Sequence, residues 1–150
     1  MNITCDVGTI DDVVVIDHQI PEFDGRTTSE RLTSRLKQTR DLILVAKVDD
    51  VPVAYKIGYS LSDSEFYSWL GGVIPRFRQQ GIATMLRKRQ EEWAYQAGYS
   101  SISVKSMNRY PAMLQLLISS GYQINGYENN GTEANSKIQF IKKLSSQRES

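Results

Sequence analysis

The sequence predicts an α/β (α+β) fold, with one mixed, mostly antiparallel sheet of about seven strands flanked by about four helices. Three observations carry this reading. Apolar and β-branched runs at 42–48, 51–59 and 66–74 follow one another across short polar turns, the pattern of an antiparallel meander. A helical pattern over 82–97 then separates the third run from a further strand at 101–105, and such a crossover joins parallel strands with a right-handed connection. Finally, 150 residues with 40% hydrophobic and 23% charged content suit a single globular domain, taken as 1–144 with 145–150 as a disordered tail.

The elements follow in order. Residues 2–8 (NITCDVG) alternate well enough for a first strand. Over 10–20, Ile10, Val13, Val14, Ile16 and Ile20 share a helical face, and Asp11 and Asp12 suit the positive end of the helix dipole. Pro21 ends that segment, and residues 22–25 form a loop. Thr27, Thr28 or Ser29 caps a second helix over 29–38, whose exposed side is basic through Arg31, Arg35 and Lys37. Asp49 and Asp50 turn the first hairpin of the meander, and Pro52 is confined to an edge or to the start of its strand. Residues 60–64 (SLSDS) make the second turn, leading into Phe66, Tyr67, Trp69, Leu70, Val73 and Ile74. The run stops at Pro75. On the long helix Ile82, Met85, Leu86, Trp93 and Ala97 recur at near 3.6-residue spacing, with Trp93 read as core and Gly98 as the stop. After 101–105, Pro111 opens a helix over 111–120 in which Met113, Leu114, Leu116, Leu117 and Ile118 are apolar almost all round. This predicts a short, well-buried helix ended by Gly121. Residues 122–127 and 137–144 are the closing strands around an Asn129-Asn130-Gly131 loop.

The connector at 75–81 carries the chemistry. A helix begins with four backbone N–H groups that lack intrahelical partners, and its dipole adds partial positive charge there. Gly81 lets a phosphate approach those donors, Ala83 keeps the next turn shallow, and Arg76, Arg78, Gln79 and Gln80 offer charge and hydrogen bonds around it. Local physics leaves two readings open: a diphosphate cradle, or an ordinary strand-to-helix turn with solvated arginines. Neither G-x-x-x-x-G-K-[ST] nor G-x-G-x-x-G occurs between strand and helix.

What does occur is Arg78-Gln79-Gln80-Gly81-Ile82-Ala83, an R-x-x-G-x-A pattern, preceded by Val73-Ile74-Pro75 and followed by Asn108 and then Gly121-Tyr122. In order and spacing this resembles the GNAT superfamily of acetyl-CoA-dependent N-acetyltransferases, strongly over residues 40–128 and more weakly towards both ends. The resemblance implies the GNAT fold, splayed between strands 4 and 5, with a pantetheine arm as the missing strand. It implies acetyl-CoA as cosubstrate, held by Val73, Ile74, Pro75, Arg76, Arg78, Gln79, Gln80, Gly81, Ile82, Ala83, Thr84 and Asn108. It also implies that the Val73 backbone N–H polarises the acetyl carbonyl, and that Asn108 contacts the cofactor or bridges the split strands.

Two positions depart from the family pattern. Many members carry a tyrosine four residues before the glycine of G-[FY], where it protonates the departing thiolate; counting back from Gly121 gives Leu117. Tyr110 is the nearest hydroxyl in sequence and stands as the candidate acid. Members also place a glutamate in the strand before Val73. Stepping back by twos gives Gly71, Trp69 and Tyr67 on one face with Glu65 near the beginning, so a water held by Tyr67 or Glu65 is the remaining base. For the acceptor site the resemblance points to Glu22, Phe23, Tyr67 and Trp69. Glu22 and Asp24 either hold an ammonium acceptor or are solvated loop acids; Trp69 either walls the acceptor site or packs in the core. His18, the only histidine, is either a surface residue or a base.

The expected activity is transfer of an acetyl group from acetyl-CoA to a primary amine of a small molecule or peptide, by direct attack in a ternary complex. The alternative is a non-catalytic acyl-CoA-binding or regulatory module. Eighteen basic and 17 acidic residues give net charge +1, which makes no global case for nucleic acid or membrane partners. Cys5 is the single cysteine, so no internal disulfide forms and a reducing compartment is expected. Without a leader pattern or an apolar run near the ~20 residues that span a bilayer, a soluble cytoplasmic protein is expected. No metal-ligand set is assigned, and a homodimer is carried by analogy with the family.

Overall fold

A computed structural model describes residues 2–145. Its strands are β1 (Ile3–Val7), β2 (Asp41–Val48), β3 (Val51–Ser60), β4 (Glu65–Val73), β5 (Ser101–Met107), β6 (Gln123–Glu128) and β7 (Lys137–Lys143). They form one seven-stranded sheet in the order β1-β2-β3-β4-β5-β7-β6, antiparallel except for the β4–β5 pair. The helices are α1 (Ile10–Asp17), α2 (Ser29–Leu36), α3 (Ile82–Gln96) and α4 (Pro111–Ser119). All but Ser145 of the predicted tail lies outside the described residues.

Alternation along β3 sorts the layers. The Tyr55 hydroxyl donates to Asp17 Oδ1 of α1 at 2.8 Å, and Arg35 of α2 donates to the Tyr59 hydroxyl at 3.1 Å, so these odd positions face α1 and α2. Gly58 faces the other way, against Gln90 of α3. Val13, Ile16, Ile20 and Leu32 fill one layer; Phe66, Ile82, Leu86 and Tyr99 fill the other, where Phe66 packs on Trp93 and Tyr99 at ring separations of 5.2 Å. Trp93 thus belongs to the core layer, as its spacing predicts.

Helix ends obey local chemistry. Thr9 and Asp12 close a capping box on α1, and Thr28 caps α2. The first helix stops at Asp17, three residues short of Ile20; His18 is its exposed C-cap, and a 3-10 turn at Pro21–Phe23 occupies the predicted loop. α4 differs more. Only Leu117 is buried, while Met113, Leu116 and Ile118 are exposed, because α4 packs chiefly on β6, the edge strand of the sheet. The predicted well-buried helix is therefore a half-exposed one.

Candidate active site

The β4–β5 pair is closed at one end and open at the other. Parallel rungs join Glu65 to Ser101, Phe66 to Ile102, Tyr67 to Ser103 and Ser68 to Val104, and the ladder stops there. From Trp69 to Val73, β4 keeps only β3 as a neighbour. The Ile74 N–H donates to Val53 O at 2.9 Å, which makes Ala54–Val73 a non-hydrogen-bonded pair of the antiparallel ladder. By alternation Lys56–Gly71 is another. The backbone N–H and C=O groups of Gly71 and Val73 therefore point away from β3 into the split, where each must find a partner other than β5.

A β-bulge at Trp69 sets what the open segment presents. Ile57 pairs with Leu70 and Gly58 with Ser68, leaving Trp69 as the extra residue. The bulge reverses the side-chain phase. Tyr67 and Trp69 face the α1/α2 layer against Tyr59, at ring separations of 5.4 and 5.9 Å. Gly71 instead lies beside Lys56 on the α3 side. The sequence expectation that Val73, Gly71, Trp69 and Tyr67 share one face is thereby corrected. Gly72 now faces the α1/α2 layer, and a Cβ there would lie 2.7 Å from Ile20 Cδ1 and from Phe23 Cε2. Only glycine lets the 3-10 turn carrying Glu22 and Phe23 sit on β4, and Phe23 is packed against the strand rather than standing free.

The uncapped start of α3 adjoins the open end. Pro75–Phe77 form a 3-10 turn, Gln79 has φ 63° and Gly81, the N-cap, has φ 80°. No side chain caps this helix, unlike α1 and α2, so the amides of Ile82, Ala83 and Thr84 are open donors. A Cβ at Gly81 would meet nothing within 4 Å. Arg76, Gln79 and Gln80 are exposed around this turn. Arg78 is engaged elsewhere: its Nε donates to Val73 O at 3.1 Å, and its NH2 pairs with Glu22 Oε2 at 3.0 Å. Glu22 is thus an ion-pair partner of the loop, while Asp24 pairs with Arg26 at 3.6 Å.

On the α1/α2 face, Tyr67 is held neutral at ordinary pH, since burial and then the neighbouring Tyr59 push its hydroxyl up to about 12. It can donate a hydrogen bond but does not act as a base. The Trp69 ring lies under two guanidiniums, Arg35 at 4.7 Å and Arg31 at 5.7 Å from its centroid. Glu65 accepts from the Ser103 hydroxyl at 2.9 Å in the closed part of the ladder, several residues from the open segment. Lys105, on the end of β5 that pairs with β7 but not with β4, donates to Glu128 at 3.0 Å, and this bond with one from Asn130 holds the Glu128 carboxyl below its usual range.

Asn108 and Tyr110 sit where β5 leaves the sheet. The Asn108 N–H donates to Ser136 O and its Nδ2 to Glu133 O, each at 3.0 Å, so it ties the β5 end to the β6–β7 loop. Tyr110 is the exposed N-cap of α4. Leu117 is that helix's buried anchor, a role a tyrosine hydroxyl would not fill without a partner.

The α3 side of the split holds a polar cluster that the motif reading does not include. Glu91, 1% exposed, accepts from Lys142 at 2.9 Å, Tyr122 at 2.8 Å and Arg87 at 3.0 Å. Burial opposes its charge, but these three bonds hold its carboxyl below the usual range. Lys56 lies beside this cluster, with Nζ 3.8 Å from where a Gly71 Cβ would be. A signal was present in the sequence: Lys56 is the lone charge in a strand, VPVAYKIGY, that is covered on both faces. Among the described residues no metal-binding cluster forms, and no helix is long and apolar enough to cross a membrane.

The chain superposes on the ribosomal-protein-S18-alanine N-acetyltransferase from Escherichia coli with a TM-score of 0.84 at 16% identity, covering 99% of this chain and 97% of that one. It superposes on Ard1 from Thermoplasma volcanium with a TM-score of 0.82 at 14% identity, covering 97% and 100%. For the PaiA N-acetyltransferase from Thermoplasma acidophilum, solved in complex with coenzyme A, the TM-score is 0.78 at 12% identity, covering 96% and 100%. At these identities the likeness shows the shared fold, which is the GNAT fold with its split between β4 and β5. No curated protein sequence matches the chain significantly. Residues 12–117 match the model of the acetyltransferase (GNAT) family, and with most of its length so matched, this chain belongs to that family.

Proposed function

We propose that this protein transfers an acetyl group from acetyl-CoA to a primary amine of a small molecule or peptide, within a ternary complex. The observation that carries the reading is the juxtaposition of an open β4 edge with an uncapped α3 N-terminus. Acetyl-CoA, when bound, supplies an activated acyl carbon and an extended arm with two amides. Gly71 and Val73 offer backbone donors and acceptors along the split for such an arm. The amides of Ile82, Ala83 and Thr84, opened by Gly81 and flanked by Arg76, Gln79 and Gln80, suit a diphosphate. The Val73 N–H, aimed into the split, suits a developing oxyanion. Arg78 occupies Val73 O in the free protein and must yield that acceptor when an amide-bearing chain is seated there.

The acceptor side is the α1/α2 face, walled by Tyr67, Trp69, the Lys105–Glu128 pair and the turn bearing Glu22 and Phe23. None of these is a free base at depth, so the amine must arrive neutral or lose its proton to water. Much of the rate then comes from holding the two reactants in line. Leu117, apolar and buried, supports the second reading of a binding module without turnover.

Two measurements test the proposal. CoA at about 100 times its Kd should raise the melting temperature by roughly 5–10 °C, about 2.7 kcal/mol for a chain this size. Thiol release from acetyl-CoA across a panel of primary amines then separates the readings. Turnover of at least one amine supports the transferase; binding without any turnover supports the module.

A further inference from the structure

Resting on that reading, we propose that Lys56 is the group that protonates the departing thiol, taking the place of the absent tyrosine at Leu117. Lys56 and Gly71 form a close, non-hydrogen-bonded pair, and the lysine side chain lies across β4 over Gly71, its Nζ 3.8 Å from where a Gly71 Cβ would be. Its ammonium thereby stands beside the exposed, split-facing backbone of Gly71, one strand away from its own. Among the described residues no hydrogen bond or ion pair holds the Lys56 ammonium, while Glu91 nearby accepts from Lys142, Tyr122 and Arg87.

The surrounding charges fit a proton donor. Glu91 attracts the ammonium and Arg87 repels it, both from α3; Lys142 of β7 and the Tyr122 hydroxyl complete the cluster. Burial, the largest effect, lowers Lys56 to about 8. At pH 7 it is therefore mostly charged and still gives up its proton readily, as a general acid for a thiolate should.

The acceptor nitrogen forms its bond to the acyl carbon, and the carbon–sulfur bond breaks with its electron pair passing to sulfur. Lys56 gives that sulfur a proton, the nitrogen sheds its own to solvent, and solvent recharges Lys56.

The decisive test needs no acceptor. The ultraviolet thiolate absorption of bound CoA, titrated against pH, reads the charge beside the sulfur. The wild-type complex should show a thiol pKa lower by about one unit than the Lys56→Met complex, while Lys56→Arg keeps the lowered value. With any amine that the wild type turns over, Lys56→Met and Lys56→Arg should both lose about a hundredfold in kcat with KM little changed, because arginine does not release a proton at neutral pH. Equal thiol pKa values in the wild-type and Lys56→Met complexes, with CoA bound to both, would overturn the proposal. Failure of the wild type to bind CoA at all would remove the parent reading and this one together, a result distinct from the first.

Discussion

The two halves of β4 make an instructive pair. From Phe66 to Ser68 the strand is laddered on both sides, and Phe66 and Ser68 are buried in the packed interior. From Trp69 to Val73 it is laddered on one side only, and carries Gly71 and Gly72 where side chains would fill space. The first half holds the fold, while the second leaves backbone donors and acceptors open for something else. The difference arises from a single extra residue, Trp69, and from where β5 turns away.

Proline substitutions should expose that difference most strongly. Ser68→Pro removes a ladder bond from a buried central strand and should cost about 3 kcal/mol or more, read by urea unfolding. Val73→Pro removes an N–H that no strand uses; it should leave the fold standing while lowering kcat/KM by about a hundredfold to a thousandfold on any accepted amine. If both variants unfold alike, the open half is not open.

At Gly81 the left-handed backbone and the empty space ahead of it point to the same position. Gly81→Val should cost about 1–2 kcal/mol in strain and abolish the CoA-induced melting shift, measured by calorimetry. A retained shift would detach the α3 amides from the cofactor.

The half-buried Lys56 predicts a pH signature. With Lys56 at about 8 in the folded chain and 10.5 as the ordinary value, the unfolded state binds the extra proton between those limits. Stability from this group therefore rises with pH across that window, and is lowest below it. Lys56→Met should remove the rise and be more stable than wild type by on the order of 1–3 kcal/mol at pH 7, measured by unfolding at several pH values.

Smaller effects separate the two glycines. Gly72→Ala should cost about 1–3 kcal/mol, since the new methyl meets Ile20 and Phe23, whereas Gly71→Ala makes ordinary contacts and should be within about 0.5 kcal/mol of neutral. Smallest of all, Glu22→Gln should change stability by less than about 1 kcal/mol, because the Arg78–Glu22 pair is 41% and 45% exposed.

Much of this was legible in the chain itself. Alternation, the Asp49-Asp50 turn and the crossover helix give all seven strands in order, and R-x-x-G-x-A marks the α3 start. What escaped depends on long-range geometry. The Trp69 bulge leaves no local signature, yet it decides which face each β4 residue takes. The helix α4 reads as buried from its leucines, but its place at the sheet edge leaves Met113, Leu116 and Ile118 exposed. Arg78 looks like a phosphate ligand in sequence; in the fold, the nearby Val73 carbonyl and Glu22 claim it. Lys56 carries no motif, and only its register opposite Gly71 gives it meaning.

On the proposed function, the open β4 edge and the α3 start form one cofactor-binding surface. Residue-resolved amide hydrogen exchange, with and without CoA, tests it directly. Exchange at Phe66 and Ser68 should be slow in both states. Gly71, Val73 and residues 82–84 should exchange fast in the free protein and about a hundredfold more slowly with CoA at about 100 times its Kd. Amides at Gly71 and Val73 that are already slow without CoA, or unchanged with it, would contradict it.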